Sequence, residues 1–309
     1  MSLSTISVAP YDSVGAEVRG LDLCRVDARW FAHLLELWWE HAVLVFPGAG
    51  LDEAEQVAFS RRFGRLERLT SRARAAALGP RAEIGTVTNL DRWGTPVPAG
   101  SSLDRFLSGN RRWHSDSSFK AVPAKASLLS ARVVPSVGGE TEWADARAAY
   151  DALASTERRA LAALSAVHSY RESQGMVGGT DVLPAQDWAE LVDVTHPVVR
   201  RHPDSGRRSL FVGRHAVRVV GWPAEPGRDL LAGLTDFVGR PERVHTHRWA
   251  AGDLVLWDNR CVLHRVREWP SGEARVMTRT TVAGDGPNEW ALEDPPDATS
   301  GTACEGRLC

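Results

Sequence analysis

The sequence predicts a mainly β fold, a sandwich or barrel with helical insertions. From residue 126 onward, short apolar or alternating segments predict strands. These segments are residues 127–134, 141–144, 198–201, 209–212, 244–248, 254–257 and 275–283. Helical patterns interrupt them at 145–153, 155–164 and 226–238, and residues 174–187 are predicted to be irregular. Because strands and helices do not alternate strictly, the pattern argues against a doubly wound parallel sheet.

The N-terminal part adds two predicted helices and a strand. Asp27 can cap a helix whose apolar residues recur every three to four positions. Residues 42–46 then form a continuous apolar run, which is typical of a buried strand. A second helix begins at Asp52, where Glu55 completes a capping box, and ends before Gly64. This part of the chain is therefore predicted to be mixed α and β.

Residues 89–113 contain so many glycines, prolines and serines that we expect no regular element there. Long loops in compact domains tend to be functional or disordered. Since this stretch leads directly into a metal-ligand motif, we interpret it as a lid.

The composition is that of an ordinary globular protein with a sizeable core. Hydrophobic residues make up 43% and charged residues 25% of the 309 positions. We expect one domain over residues 1–290, because all-β domains often exceed about 200 residues as a single unit. Residues 291–309 are rich in Pro, Gly, Ser and Thr and are predicted to form a flexible tail.

Neither charge nor hydropathy points to nucleic acid or a membrane. The formal net charge of -2 creates no global field that would attract either partner. No apolar run reaches the ~18 residues of a membrane span, and the first thirty residues lack a secretory pattern. The four cysteines form no CxxC pair, so we expect thiols in a reducing compartment. We therefore expect a cytoplasmic protein with a small-molecule partner.

A candidate metal site begins with His114 and Asp116. In an extended segment, residues two apart point to the same side, so both ligands can face one cavity. His264 can supply a second imidazole. Two histidines and one carboxylate leave open positions on a metal, which suits Fe(II) oxygen chemistry.

Spacing alone does not single out these residues. His202 and Asp204 form a second H-x-D step, although Pro203 and the following residues favour a turn there. His245 and His247 also share one face of a predicted strand. On spacing alone, the side chains of any of these groups can instead be packed in the core or exposed to solvent without binding a metal.

The strand at 275–283 carries two arginines on one face, because Arg275, Met277, Arg279 and Thr281 alternate with apolar and small residues. These side chains can simply face solvent. If the face is buried, however, two guanidinium groups need anions to offset their desolvation. A bound dicarboxylate would supply one.

Five ordered blocks of sequence carry a family resemblance. They are Trp-His-Ser-Asp-Ser-Ser-Phe at 113–119, Gly-Gly-Glu-Thr at 138–141, Ala-Asp-Ala-Arg-Ala-Ala-Tyr-Asp-Ala-Leu at 144–153, Gly-Asp-Leu-Val-Leu-Trp-Asp-Asn-Arg at 252–260 and Arg-Val-Met-Thr-Arg at 275–279. Together they resemble the taurine dioxygenase and 2,4-dichlorophenoxyacetate dioxygenase family over roughly residues 14–284. Within it, the chain is most similar to the aryloxyalkanoate dioxygenases.

The resemblance implies a double-stranded β-helix, a squashed jelly-roll core, and an Fe(II)- and 2-oxoglutarate-dependent dioxygenase. His114, Asp116 and His264 match the iron ligands. Thr141 and Arg275 match the residues that hold the distal carboxylate of 2-oxoglutarate. The cofactor set is then Fe(II), 2-oxoglutarate and O2, and family members are often homo-oligomers.

Further roles follow from the same resemblance. Arg279 matches a residue shared by cosubstrate and substrate, and Asn110 matches a polar residue beside the cosubstrate. In related halogenases a small residue replaces the ligand carboxylate, so Asp116 implies hydroxylation. The aryloxyalkanoate relatives hydroxylate the carbon beside an ether oxygen, and the product then splits, with release of succinate and CO2.

We expect the substrate to be a small organic anion. Arg279 can bind the anionic head group with two charge-assisted hydrogen bonds. Ser117, next to Asp116, is a second candidate contact for the substrate. An apolar wall for the tail can come from aromatic and methionine side chains near the lid. The candidates for this wall are Trp93, Trp113, Phe119 and Met176.

Two other interpretations stay open. The same chemistry can act on a sulfonate, an alkyl sulfate or a biosynthetic intermediate. The same ligands can also serve a zinc hydrolase or a non-catalytic metal-binding jelly roll, although neither needs a dicarboxylate anchor such as Arg275. The sequence has no G-x-S-x-G elbow for a serine hydrolase and no complete dinucleotide-binding glycine motif.

Overall fold

A computed structural model describes residues 6–68 and 82–286. Its strands are β1 (Ser7–Pro10), β2 (Ala16–Arg19), β3 (Val43–Phe46), β4 (Ile84–Thr88), β5 (Ala124–Val133), β6 (Thr141–Asp145), β7 (Ser165–His168), β8 (Val194–Pro197), β9 (Val199–Arg201), β10 (Arg208–Leu210), β11 (Ala216–Val219), β12 (Val244–His247), β13 (Leu254–Asp258), β14 (Val262–Val266) and β15 (Val276–Ala283). Its α-helices are α1 (Ala28–His41), α2 (Glu53–Arg61), α3 (Ser102–Ser108), α4 (Ala146–Asp151), α5 (Ser155–Ala162), α6 (Tyr170–Gly175), α7 (Ala185–Glu190) and α8 (Ala224–Val238). The expectation of a mainly β protein with helical insertions is confirmed.

The strands form one large sheet and three small ones. The large sheet has the order β1-β2-β3-β13-β5-β15-β4. Its neighbours are antiparallel except for the parallel pair β2 and β3. A three-stranded sheet has the order β12-β6-β14, another has the order β11-β7-β8, and β9 pairs with β10.

The core lies on both faces of the large sheet. On one face, Trp143 of β6 packs against Trp257 of β13, with ring centroids 5.7 Å apart. On the other face, Leu34 and Trp38 of α1 and Phe59 of α2 pack on the sheet. Burial of these side chains supplies the main driving force for packing helices and sheets together. The resulting layers hold the central strands β5, β13 and β15 rigidly between them.

The N-terminal predictions are confirmed. The Asp27 side chain accepts a hydrogen bond from the backbone N–H of Trp30 and caps α1. Asp52 and Glu55 form the predicted capping box of α2. The apolar run that follows α1 is a fully buried strand, β3.

The prediction that residues 89–113 lack regular structure is wrong in its second half. Helix α3 and a 3-10 turn, Gly109–Arg111, occupy this part. Ser101 starts α3 by accepting a hydrogen bond from the backbone N–H of Asp104. The preceding prolines and glycines concealed a short, capped helix. The region predicted to be irregular at 174–187 also begins and ends in helix, in α6 and α7.

Among the described residues, no helix combines the length and the apolar character needed to cross a membrane. The predicted tail at 291–309 lies outside the described residues.

Gln56 links α2 to the large sheet, and its replacement tests this packing. Its buried amide donates to the carbonyl oxygens of Leu128 and Thr278 and accepts from the Thr278 hydroxyl. We expect Gln56→Ala to lower the free energy of unfolding by about 2–4 kcal/mol, because it leaves a cavity and removes the acceptor of the buried Thr278 hydroxyl proton. Urea denaturation measures the change. The exposed Gln186→Ala should change stability by less than about 0.5 kcal/mol, and equal effects would contradict the assigned role.

Candidate metal and cosubstrate site

Backbone pairing brings the predicted metal ligands together. The N–H of His114 donates to the carbonyl of His264 at 3.0 Å, and the N–H of His264 donates back at 2.8 Å. Asp116 follows two residues later. Its Oδ1 lies 4.0 Å from Nε2 of His114 and 3.8 Å from Nε2 of His264. All three side chains are buried, and their ligand atoms converge on one point.

The protonation states of these side chains fit a divalent metal. Nδ1 of His114 lies 2.8 Å from the carbonyl oxygen of Arg112, which can only accept, so Nδ1 carries the proton and Nε2 its lone pair. Burial lowers the pKa of His114 to about 4 and holds the pKa of His264 well below its ordinary value. Burial alone would raise the pKa of Asp116, but Arg279 and the two imidazoles lower it. Two neutral imidazoles and a carboxylate are suitable ligands for Fe(II).

The competing histidines have structural partners. Nε2 of His202 lies 2.9 Å from Oδ2 of Asp258, and its Nδ1 accepts from the backbone N–H groups of Asp204 and Ser205. The predicted turn at this position is therefore confirmed, and both ring nitrogens are engaged. His245 and His247 each contact a different neighbour.

His245 stacks on Tyr11 with ring centroids 3.8 Å apart. Nε2 of His247 lies 3.1 Å from Oδ2 of Asp253. The two rings therefore pack against different neighbours. Among the described residues, the pair at 114 and 116 meets a second histidine, whereas His202 forms a group with Asp258 and Cys261 in which Asp258 also binds Arg260.

A cavity of about 340 Å³ opens beside the His-Asp-His group. Asn110, Thr141, Arg275 and Arg279 line it, so the structure brings all four predicted cosubstrate residues to one place. Nε of Arg275 donates to the Gly139 carbonyl at 3.0 Å, and Nη2 lies 3.4 Å from the Thr141 hydroxyl. We find no carboxylate paired with Arg275 within residues 6–68 and 82–286. Burial lowers its pKa to about 10.

The buried Arg275 shows why this cavity suits an anion. A desolvated guanidinium without a counter-charge is costly, and a carboxylate offsets that cost with two charge-assisted hydrogen bonds. The predicted alternative of a solvent-facing arginine strand is wrong, because Arg275, Met277 and Thr281 are all buried.

A second cavity, of about 540 Å³, meets the first at the metal ligands. His114, Asn110 and Arg279 border both cavities. Nη1 of Arg279 lies 3.0 Å from Oδ1 of Asp116, so the positive charge of this arginine lies where the two cavities meet. The side chains of Phe119 and Tyr170 line the second cavity and pack together, with ring centroids 4.6 Å apart.

The second cavity also contains Arg214, which the sequence analysis missed. Its Nη2 donates to Oε1 of Gln174 at 2.7 Å, and its guanidinium lies 5.9 Å from the Tyr170 ring centroid. Burial lowers its pKa to about 10. We find no carboxylate partner for it in the described part of the chain. The only local signal was an arginine directly after Gly213 at the end of a predicted strand.

Only some of the predicted substrate residues line the second cavity. Phe119 and Ser117 line the second cavity, but the Ser117 hydroxyl donates its proton to Glu67 and can only accept from a ligand. Trp93 is 73% exposed, stacks under Arg92 and lines neither cavity. Trp113 packs in the core cluster around α8, and Met176 is half exposed outside both cavities. None of these three side chains lines either cavity.

Two neutral imidazoles, one carboxylate and an adjoining cavity that contains a buried guanidinium without a carboxylate partner among the described residues define a class of protein. It is the class of mononuclear metal enzymes that take a dicarboxylate cosubstrate. Residues 7–281 match the family described as taurine catabolism dioxygenase TauD, TfdA family. The chain belongs to this family.

Individual relatives and a solved structure are similar to the chain over most of its length. The chain is 39% identical to the (S)-phenoxypropionate/alpha-ketoglutarate-dioxygenase of Delftia acidovorans, over 93% of this chain and 98% of that protein. It is 43% identical to the alpha-ketoglutarate-dependent 2,4-dichlorophenoxyacetate dioxygenase of Cupriavidus pinatubonensis, over 80% of this chain and 86% of that protein. The crystal structure of AAD-2 in complex with Mn(II) and N-oxalylglycine superposes with a TM-score of 0.82 at 35% identity, covering 94% of this chain and 100% of that one.

These comparisons confirm the predicted enzyme class. The chain is an Fe(II)- and 2-oxoglutarate-dependent dioxygenase that requires O2.

The metal and cosubstrate can be tested by absorption spectroscopy. We expect anaerobic addition of Fe(II) and 2-oxoglutarate to produce a visible charge-transfer band, because the cosubstrate chelates the metal directly. Asp116→Ala should abolish the band at the same concentrations. Asp204→Ala, which removes the carboxylate of the competing H-x-D step, should leave it intact. A band lost in the Asp204 variant and kept in the Asp116 variant would reverse the choice of site.

Proposed function

We propose that this enzyme hydroxylates a small anionic substrate of the aryloxyalkanoate kind at the carbon next to an ether oxygen. The hydroxylated product then collapses to a carbonyl compound and a phenol, and succinate and CO2 are released. The observation that carries the proposal is the second cavity, which combines aromatic side chains with the buried guanidinium of Arg214 beside the metal ligands. The named substrates of the two relatives above, phenoxypropionate and 2,4-dichlorophenoxyacetate, have this chemistry.

In this proposal, His114, Asp116 and His264 hold Fe(II). When bound, the iron and 2-oxoglutarate supply the O2-dependent oxidation that replaces a substrate hydrogen with a hydroxyl group. The protein positions the reactants and excludes water from the buried junction of the two cavities.

Arg275 and Thr141 hold the far carboxylate of 2-oxoglutarate. The support for this role is their position in the smaller cavity and the lack of a carboxylate partner for Arg275 in the described residues. The guanidinium fork fits a carboxylate with two parallel hydrogen bonds and so fixes the direction in which the cosubstrate enters. Asn110 adds a polar group where the two cavities meet.

The substrate lies in the larger cavity. Arg214 offers its buried charge to the carboxylate, and the Phe119 and Tyr170 rings supply apolar surface for the aryl group. Arg279 stands between cosubstrate and substrate and can contact either one. A carboxylate held near Arg214 leaves the neighbouring carbon free to face the metal ligands.

We further propose that the large sheet and the β12-β6-β14 sheet form the double-stranded β-helix of a jelly roll. The shared core around Trp143 and Trp257 supports this arrangement. The proposal treats residues 1–290 as one catalytic domain, followed by a flexible tail at 291–309, and expects a homo-oligomer. Free thiols at Cys24 and Cys261 are consistent with work in the cytoplasm.

Arg275→Ala tests the cosubstrate anchor. We expect the 2-oxoglutarate concentration at half-maximal rate to rise about 10- to 100-fold, since hydrogen bonds to charged groups contribute about 1.5–3 kcal/mol. Steady-state kinetics with 2-oxoglutarate varied measure the change. The matched control is Arg267→Ala, which removes an exposed guanidinium near the same cavity wall. An unchanged 2-oxoglutarate requirement in Arg275→Ala would count against the anchor.

Substrate-dependent succinate release tests the substrate class. We expect activity with phenoxyacetate or 2-phenoxypropionate and much less with taurine or an alkyl sulfate, because the cavity combines the buried guanidinium of Arg214 with aromatic surface. Arg214→Gln should lower kcat/KM for the phenoxyacid about 10- to 100-fold while the 2-oxoglutarate requirement stays the same. Silence with every phenoxyacid would overturn this substrate class, and activity with the sulfonate or sulfate would replace it.

A further inference from the structure

The Asp116 carboxylate is tied to the large sheet by a chain of buried hydrogen bonds. Oγ of Ser127 lies 2.7 Å from Oδ2 of Asp116, and Nδ2 of Asn259 lies 2.9 Å from Oγ of Ser127. Neither Ser127 nor Asn259 is accessible to solvent beyond 1%. The catalytic roles assigned above do not use either residue.

The direction of every hydrogen bond in this chain is determined. The indole Nε1–H of Trp257 and the backbone N–H of Asp116 can only donate, and both point at Oδ1 of Asn259. The amide nitrogen of Asn259 must therefore face Ser127 and donate to it. The Ser127 hydroxyl then has its one proton left for the carboxylate of Asp116, which accepts.

This chain makes the two oxygens of Asp116 unequal. Oδ2 is occupied by the Ser127 hydroxyl, whereas Oδ1 faces Nε2 of both His114 and His264. Oδ1 also accepts from Arg279, but a carboxylate oxygen has a second lone pair. Rotation of the carboxylate would break the bond to Ser127 in a buried place, where an unpaired hydroxyl is costly.

We propose that Ser127 and Asn259 are positioning residues that fix Asp116 so that Oδ1 alone faces the metal. This inference rests on the proposed ligand role of Asp116. Hydrogen bonds behind a ligand orient it and tune its affinity for the metal.

Strand pairing explains why these residues meet. Trp257 of β13 lies opposite Ser127 of β5 in the antiparallel register. The backbone N–H of Asn259 donates to the carbonyl of Lys125, and the Ser115 hydroxyl donates to the carbonyl of Asn259. The register of the large sheet thus determines the orientation of a metal ligand.

Mn(II) binding to the metal-free protein, followed by electron paramagnetic resonance, tests the proposal without turnover. We expect Ser127→Ala to weaken Mn(II) binding about 10- to 100-fold and to change the Mn(II) spectrum. Ser127→Cys, which keeps a weak donor, should fall between wild type and Ser127→Ala. The control is Ser130→Ala on the same strand, where the equally buried hydroxyl has no partner among the described residues. Its Mn(II) affinity should stay within about twofold of wild type.

The outcomes separate the two proposals. Wild-type affinity in Ser127→Ala overturns the positioning role and leaves the metal site standing. Equal losses in Ser127→Ala and Ser130→Ala also overturn it, because the effect then comes from packing. If wild type itself does not bind Mn(II), both the metal site and the positioning role fail. Thermal unfolding of each metal-free variant confirms that the compared proteins are folded.

Discussion

Burial of the Asp116 carboxylate is the constraint on which the site depends. An ionised group out of water is stable only when hydrogen bonds and opposite charges surround it. Ser127 of β5 and Arg279 of β15 supply these contacts, and the imidazoles supply more when a metal joins them. The partners belong to neighbouring strands of the large sheet. The sheet is therefore both the core of the fold and the frame of the metal site.

Two further buried charges line the cavities, one in each. Arg275 and Arg214 lie at separate places around the metal ligands, and neither has a carboxylate partner among the described residues. An anion from solution would therefore offset the cost of burying each guanidinium. One cavity is small and polar at its end, which suits the dicarboxylate, whereas the other adds aromatic surface. In the proposed function, these two separate guanidinium groups would each bind one of two different anions.

The buried carboxylate of Asp258 has both hydrogen-bonding and charged partners within the protein and has a structural role. Asp258 binds the guanidinium of Arg260 and the imidazole of His202 at the turn between β13 and β14. These partners lower the pKa of Asp258 despite its burial. The network holds the turn that carries Asn259, whose Oδ1 accepts a hydrogen bond from the backbone N–H of Asp116. His202, a candidate ligand by spacing, instead binds Asp258 at the turn next to the proposed metal site.

Local sequence patterns determined the capped helices α1 and α2 and the central strands, because capping and hydrophobic periodicity act within a few residues. Local patterns did not predict short strands such as β4 or the helix α3, because strand pairing and tertiary packing stabilise these elements more than their own residues do. The ordered blocks further identified the family. Only the tertiary structure showed that His114 pairs with His264 and that Arg214 reaches the second cavity. Contacts between distant segments decide both, and no local spacing encodes them.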